Sequence, residues 1–525
     1  MRSATSPRGL SPRDACVGAR MTGDDSAWRL LGCHGFSALE PPRLVELAAA
    51  GGLTDACGDF VLAAERGPAE HVETMLASSG VGARPYFWTL GETGRLHHGL
   101  DVFAVARSAR LPWAWDPAAL QQLALLGHTL GSTTLHKKVA RLPPDCVLRC
   151  ASGAVSIQAG TLWDESAPRT AHLELQQAFN DSLSDTFCTG EDPIVSMSAG
   201  FDSRAILAGV LRLGARPRLL TMGHRASTDR MVATDIARGL GLPIEEIELQ
   251  PSEYLTEASL IVQATSGTKL ASNWHTYLYS RATRGHDGVH LVGSNGEFAR
   301  SFYADRGALS RALDLSGRAG LSAQWDLRVR RWASRTLTPG PARELSLAGL
   351  REQLVQAGGR RRPLDSLDTV YATQRVRHFI GNGLALYALN GRPASPFLDS
   401  RWIRAVRALH RKEKLGSKAH RSLILANTPR LAEFAMEGHP TMRGAPEFGY
   451  WMRRPAVVGY SPFTEVLALE EVRTRVVESP HLDELFTREE RIAAVEAKAA
   501  VTLELMLTLS FASELAHATT QACAA

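Results

Sequence analysis

The sequence predicts an α/β protein in two parts, an α+β sheet half followed by a parallel α/β half with a helical C-terminal part. Three observations carry this reading. Residues 28–165 alternate short apolar runs with turn residues, as in an α+β sheet domain. Residues 194–249 then read strand, helix, strand, helix, strand, the order of a parallel sheet covered by helices. From about residue 305 onward the pattern is mostly helical. The expected divisions are an extension over 1–27, a first domain over 28–165 and a second over 166–525.

Within the first half, 58–65 and 86–90 read as strands, the latter followed by a turn over 91–94. Segments 147–150 and 155–157 flank Ser152 and Gly153, a hairpin signal. One helix is predicted over 117–126, with Asp116 as N-cap and Pro117 at its first position. In the second half a helix is expected over 170–187, a buried strand over 194–198 and a helix over 203–213. Strand 218–222, helix 229–240 ended by Gly241, and strand 244–249 follow. Residues 328–362 hold nine Arg and two Glu, which reads as a solvated helical face ahead of a substrate or phosphate patch.

Composition narrows the class. A chain of 525 residues with 44% hydrophobic content buries ample core and exceeds one ordinary domain. Charged residues at 22% exclude a wholly disordered chain. A net charge of +5 suits a protein that handles nucleotide phosphates or acidic peptides, and is too small to argue for nucleic acid. The seven cysteines, at 16, 33, 57, 146, 150, 188 and 523, form no CxxC pair and suggest a reducing cytoplasm. No uncharged apolar run of about 18 residues exists, so no membrane span is expected. Arg2, Arg8 and Arg13 precede no apolar stretch, which argues against a secretory signal. Residues 1–20 read as a disordered extension, with Met21 as an alternative start.

The most informative stretch is Ser198-Ala199-Gly200-Phe201-Asp202-Ser203, between a buried strand and a helix. Small residues let backbone amides approach an anion, and the helix N-terminus adds a favourable dipole. Ser198 and Ser203 offer hydroxyl donors to phosphate oxygens. The plain alternative is a structural turn, since turns also use Ser, Gly and Asp. No GxxxxGK[ST], HExxH or GxSxG motif is present.

This loop resembles the SGGxDS signature of the pyrophosphate-loop ATPases of the asparagine synthetase superfamily, with Ala199 at the second small position. The resemblance implies ATP as substrate, cleaved between its α and β phosphates to give an acyl-adenylate and pyrophosphate. It also implies an adenine site on the backbone of Met222 and Gly223. The segment Leu291-Val292-Gly293-Ser294-Asn295-Gly296-Glu297 resembles the family's LSGEGxDE stretch. Aligned so, Gly293 matches its first glycine and Glu297 its metal-binding Asp. Mg²⁺ would then sit between Asp202 and Glu297, hard oxygen donors suited to that ion. The alternative for Glu297 is an exposed turn glutamate. Ser294 falls where asparagine synthetases carry Glu and β-lactam synthetases a catalytic Tyr. Pro396-Phe397-Leu398-Asp399 resembles the family's PFLD element, and Lys418, in Ser417-Lys418-Ala419-His420-Arg421, its lysine over the α-phosphate and pyrophosphate. Lys412 and Lys414 compete for that role. Lys418 and Ser294 are therefore the candidate catalytic positions. Arg392 replaces an acidic residue seven positions before Asp399, which predicts a rebuilt acceptor site.

The resemblance runs from about Gly58 to Phe434. Residues 82–86, and the span from Asp116 to Pro144, are similar to parts of the family's N-terminal-nucleophile glutaminase domain. That domain needs a Cys at the N-terminus, and Met1 is followed by Arg2, Met21 by Thr22. The first half is thus expected to be a degenerate glutaminase-like scaffold, and the nucleophile an amine carried by the substrate. Among branches without that Cys, the Asp202-Ser203-Arg204 continuation and Ser294 favour lasso peptide macrolactam synthetases. Those adenylate an Asp or Glu side chain of a precursor peptide and close the ring with the peptide's N-terminal amine. A leader peptidase and a leader-binding protein are the implied partners. The competing readings are a β-lactam-synthetase-like or ammonia-dependent amide ligase on a small substrate, and a non-enzymatic nucleotide binder.

Overall fold

The computed structural model describes residues 27–53, 56–68, 71–163, 172–186, 192–303, 308–359, 362–436 and 462–524. The expected extension over 1–27 (but for its last residue), the predicted boundary at 165/166, Cys16 and Cys188 lie outside these residues. With 53% of residues helical and 15% in strands spread over several sheets, the fold is mixed α/β.

Three sheets form. The first contains β1 (Arg29–Ser37), β2 (Gly58–Arg66), β3 (Glu73–Ser78), β7 (Cys146–Ala151) and β8 (Ala154–Ala159), antiparallel and in that spatial order. A small sheet joins β4 (Phe87–Leu90), β5 (Leu96–Gly99) and β6 (Ala140–Arg141). The hairpin between β7 and β8 turns at Ser152 (φ 49°) and Gly153 (φ 78°), the paired positive values that match strand twist. Helix Pro117–Leu126 forms as predicted, its Asp116 carboxylate accepting from the Ala118 and Ala119 amides. Two further helices, Pro41–Ala49 and Val102–Ser108, were not anticipated in this half.

The third sheet is wholly parallel. It contains β9 (Ile194–Ser196), β10 (Arg218–Met222), β11 (Ile244–Ile247), β12 (Val289–Leu291) and β13 (Arg392–Ala394), in the order β11-β10-β9-β12-β13. The chain steps outward from β9 to β11, then crosses back to β12 on the other side. The chain therefore leaves β9 toward β10 and β12 toward β13, in opposite directions across the sheet, and such a switch point opens a crevice at the C-terminal strand ends. Between the strands, helix Phe201–Arg212 buries Ala205, Ile206, Leu207, Ala208 and Val210, and helix Thr228–Leu240 stops at left-handed Gly241.

A segment that sequence periodicity does not reveal runs over Tyr371–Ile380: a π-helix, closed by the Gly381 amide on the Val376 carbonyl five residues back. It binds the two halves together. Arg141 donates to the Arg377 carbonyl at 2.6 Å and to the Gly82 carbonyl at 3.2 Å. Arg377 answers with bonds to the Leu142 carbonyl at 2.5 Å and the Gly131 carbonyl. Both guanidiniums are buried. Lys269, also buried, donates to the Phe379 carbonyl at 2.9 Å and lies 4.2 Å from that ring's centroid. Just beyond, a Cβ on Gly381 would stand 2.0 Å from the Ala83 carbonyl oxygen.

Two outcomes test this interface. Gly381→Ala forces the halves apart and is expected to cost about 3 kcal/mol in urea unfolding. Gly52→Ala, whose new methyl would meet nothing nearer than 4.0 Å, should cost far less. Equal losses would contradict the close approach. Burial, and then the Arg375 charge, pull Lys269 down to about 7 from its ordinary 10.5. Between those values the unfolded chain holds the proton better, so stability rises with pH across that window. Lys269→Met should therefore gain on the wild type at pH 7, and the difference should shrink toward pH 10. A difference independent of pH would exclude the buried charge as its cause.

Candidate functional site

Both predicted loops emerge at the switch point and meet there. After β9, the Ser198–Ser203 turn is closed by its own hydroxyls. The Ser198 amide donates to Ser203 Oγ at 3.2 Å, the Gly200 amide to Ser198 Oγ at 3.2 Å, and the two hydroxyl oxygens lie 3.0 Å apart. Gly200 caps the helix with φ −75°, so it needs none of glycine's conformational freedom. The Ala199 methyl is fully buried in the core. The Ala199 amide donates at 2.8 Å to Asp229 Oδ1, in the first turn of helix Thr228–Leu240. This places a carboxylate side chain beside the loop.

At the end of β10, Met222 is half-buried and Gly223 turns with φ 125°, its amide bonded to the Ile247 carbonyl at 2.9 Å. Arg230 holds the Gly223 carbonyl at 3.0 Å while pairing with Glu246 at 2.5 Å. Met222 and Gly223 thus end the strand next to β9.

The turn after β12 wraps around Asp202. A Cβ on Gly296 would stand 2.4 Å from Asp202 Cγ, and one on Gly293 3.1 Å from Asp202 Cβ. Asn295, left-handed at φ 73°, donates to the Phe397 carbonyl at 2.6 Å, and Ser395 Oγ bonds the Ser294 carbonyl at 2.7 Å. Ser294 therefore contributes its backbone to the turn's anchorage.

Asp202 is the centre of the arrangement. Its Oδ2 accepts from Arg300 at 2.8 Å. Its Oδ1 lies 2.8 Å from His420 Nε2, ionic when the imidazole is protonated, yet so misaligned that both atoms remain without a hydrogen bond. Burial pushes Asp202 up, but the Arg300 and His420 charges outweigh it and hold the carboxyl below its ordinary value. Glu297 is half-buried, not an exposed turn residue. Tyr371 donates to its Oε2 at 3.2 Å. Burial, then the Asp202 charge, push Glu297 well above the usual carboxylate value. Two carboxylates that resist joint ionisation, one with an unsatisfied buried oxygen, suit a hard cation. Among the described residues no three His, Cys, Asp or Glu side chains gather as a metal site, so any ion here would need water or substrate oxygens as well.

Lys418 opens helix Lys418–Asn427, two residues before His420, and its side chain is exposed. Among the described contacts its side chain makes none to the two loops. Lys414 is instead buried, its Nζ 2.8 Å from Asp368 Oδ2, where Ser301 Oγ also donates at 3.2 Å. That pair fastens the segment following Glu297 and removes Lys414 from contention as a mobile phosphate ligand. Of Lys412 only the backbone is described.

Arg392 corrects an expectation. It begins β13, at the strand end away from the cleft, and donates to the Asp287 carbonyl at 2.8 Å. Its guanidinium is thereby held ahead of β12, at the N-terminal ends of the strands, whereas the crevice opens at their C-terminal ends. Arg204 is likewise structural: fully buried, it donates to the carbonyls of Leu431, Phe434 and Ala435. Sequence reasoning missed Arg300, Tyr371, Asp229 and the role of His420. His420 stood inside a quoted motif, but nothing in its spacing tied it to Asp202.

In the first half, burial pushes the Cys33 thiol up to about 12, which leaves it inert as a nucleophile. No described helix is long and apolar enough to cross a membrane. No family model matches the chain, and no curated protein matches it.

The Lys414–Asp368 pair yields a test. Lys414→Met alone strands a buried carboxylate and is expected to cost about 3–5 kcal/mol in unfolding free energy. Joining it with Asp368→Leu should recover much of that loss, because no uncompensated charge remains. A single-variant loss below about 1 kcal/mol, within the range of exposed pairs, would show the pair to be solvated.

Proposed function

We propose that this chain is an ATP-dependent, AMP-forming carbon–nitrogen ligase of the asparagine synthetase type, acting as a lasso peptide macrolactam synthetase. Its first half is then a degenerate glutaminase-like domain and its second a pyrophosphate-loop synthetase domain. The observation that carries the reading is the meeting of the Ser198–Ser203 and Gly293–Glu297 loops around Asp202, at the switch point of a parallel sheet. Unrelated turns have no reason to converge there with two carboxylates, two hydroxyls and a helix N-terminus.

In this reading a peptide Asp or Glu carboxylate oxygen attacks the α-phosphorus of ATP and pyrophosphate leaves. The peptide's N-terminal amine then attacks the acyl carbon, loses a proton, and AMP departs. Ser198, Ser203 and the amides of the helix's first turn bind the β and γ phosphates, with the helix dipole behind them, since the amides of Ser198, Ala199 and Gly200 are already engaged. Met222 and Gly223 border the adenine. Asp202 and Glu297 would hold Mg²⁺, which when bound neutralises phosphate charge. Arg300 must swing off Asp202 or share it with the ion, since its guanidinium now covers Oδ2. Lys418, exposed on the turn that carries His420, extends over the departing pyrophosphate. A peptide α-amine, with pKa about 8, needs little help to lose its proton, so a dedicated base at Ser294 is dispensable. Catalysis then rests on positioning the amine and excluding water from the adenylate. A leader peptidase and a leader-binding protein would deliver the peptide in a reducing, cytoplasmic setting.

Mass spectrometry decides the matter. Precursor peptide with ATP, Mg²⁺, this protein and its peptidase should yield a core lighter by one water, with AMP formed in step. Asp202→Asn and Glu297→Gln should abolish that AMP. Lys418→Ala should lower kcat about a hundredfold, as loss of one transition-state contact does, with little change in ATP affinity. AMP driven by a small amino acid, with the peptide untouched, would overturn the peptide assignment.

A further inference from the structure

Arg300 and Asp202 form an ion pair in which the arginine is the outer member. Asp202 Oδ1 is closed off: it is buried, it lies 2.8 Å from His420 Nε2, and a Cβ on Gly296 would stand 2.5 Å from it. His420 is itself fully buried. Oδ2 is the remaining oxygen, and Arg300 donates to it at 2.8 Å. The Arg300 side chain is 29% exposed against 14% for Asp202. A cation that approaches from solvent therefore meets the guanidinium before it meets the carboxylate.

Arg300 is not built in as the structural arginines of this chain are. Arg204 donates to the carbonyls of Leu431, Phe434 and Ala435, and Arg377 to those of Gly131, Arg141 and Leu142. Arg141 bonds the Gly82, Ala83 and Arg377 carbonyls and the Asn382 side chain. The Arg300 side chain, among the described residues, makes its hydrogen bond to Asp202 alone. The backbone beneath it is held firmly by contrast. Ser301, left-handed at φ 53°, donates from its hydroxyl to Asp368 at 3.2 Å, and Lys414 pairs with the same carboxylate oxygen at 2.8 Å. The guanidinium thus has one bond to break and a fixed pivot about which its own side-chain torsions can turn.

Charge decides between sharing Asp202 and leaving it. A divalent cation binds a carboxylate oxygen by direct contact, and it would repel a guanidinium held on the same carboxyl group where water screens little. A polyphosphate offers the guanidinium several acceptor oxygens that match its planar pairs of N–H groups. We infer that Arg300 is an exchangeable counter-ion of Asp202: it covers the carboxylate in the free protein, yields Oδ2 to a divalent cation, and turns onto a phosphate of the nucleotide that arrives with that cation. Metal and nucleotide are then linked through one side chain, which opposes the metal alone and favours the two together. This inference rests on the ATP-dependent reading of the site, but it concerns binding and requires no peptide.

Two affinities, expected to move in opposite directions, test it on the full chain. Mn²⁺ alone is titrated by electron paramagnetic resonance, and Mn²⁺ with α,β-methylene-ATP by calorimetry. Arg300→Met, checked for an intact thermal transition, should bind Mn²⁺ alone at least about tenfold more tightly and the Mn²⁺–nucleotide complex about tenfold more weakly, within the usual span of such coupling. Arg300→Lys, which keeps the charge, should hold Mn²⁺ alone near the wild-type affinity. Arg43→Met, which removes an exposed arginine from helix Pro41–Ala49, should change neither affinity. If Arg300→Met does not fold, Arg300→Gln, which retains an amide donor without the charge, takes its place with the same expectations. A purely structural role would weaken both affinities. That result, an unchanged Mn²⁺ affinity, or an unchanged affinity for the complex overturns the exchange. The opposite shifts without AMP formation from any peptide would keep the exchange and defeat the ligase. AMP-forming turnover with Mn²⁺ affinity unmoved in the Arg300 variant would do the reverse.

Discussion

The buried carboxylate of Asp202 is the constraint on which the cleft depends. It stands in the first turn of one helix, yet its contacts come from two separate stretches of chain: the Gly293–Arg300 segment, through its backbone and the Arg300 side chain, and His420. A buried carboxylate without partners would either take up a proton or unfold its surroundings. Here the partners are cationic or polar, and they hold it ionised. Gly296 permits the close approach, because any side chain there would overlap the carboxyl group. The two loops keep one relative position because this one group binds both.

A second constraint operates between the halves. Arg141 and Arg377 are buried without a carboxylate, each solvated by the other's backbone carbonyls and those of Gly82, Gly131 and Leu142. Carbonyl dipoles replace only part of the lost water, so burial lowers both pKa values, that of Arg377 to about 10. The arrangement is tolerable because the donors are many and the carbonyls converge. Its consequence is positional. The π-helix that carries Arg377 also carries Tyr371 and Arg375, so the same segment clamps the first half, touches Glu297 and lines a neighbouring cavity. Residues far from the phosphate loop in sequence thereby control its surroundings.

Charge is distributed unevenly around this centre. Asp229, Asp202 and Glu297 border the loops, whereas Arg328 and Arg375 face the cavity behind Tyr371. The phenol of Tyr371, kept protonated by burial and then by the Glu297 charge, separates the two regions.

Local chemistry was legible in the sequence wherever the cause is local. Asp116 and Pro117 start a helix, Gly241 ends one, and Ser152 with Gly153 turns a hairpin, because each depends on a few adjacent φ values and amide groups. The alternation of strand and helix over 194–249 likewise announced a parallel sheet, and with it the end of the sheet at which a cleft opens. The sequence by itself thus determined the mixed α/β class and the loops at the centre of the site. Only the tertiary structure decided which side chains face those loops. Arg300 closes the short helix that begins at Gly296, Tyr371 and His420 come from distant segments, and Lys414 was withdrawn from the cleft by Asp368. The reason is physical: a buried charge is satisfied by whatever the folded chain brings within about 3 Å, and that proximity has no period along the chain.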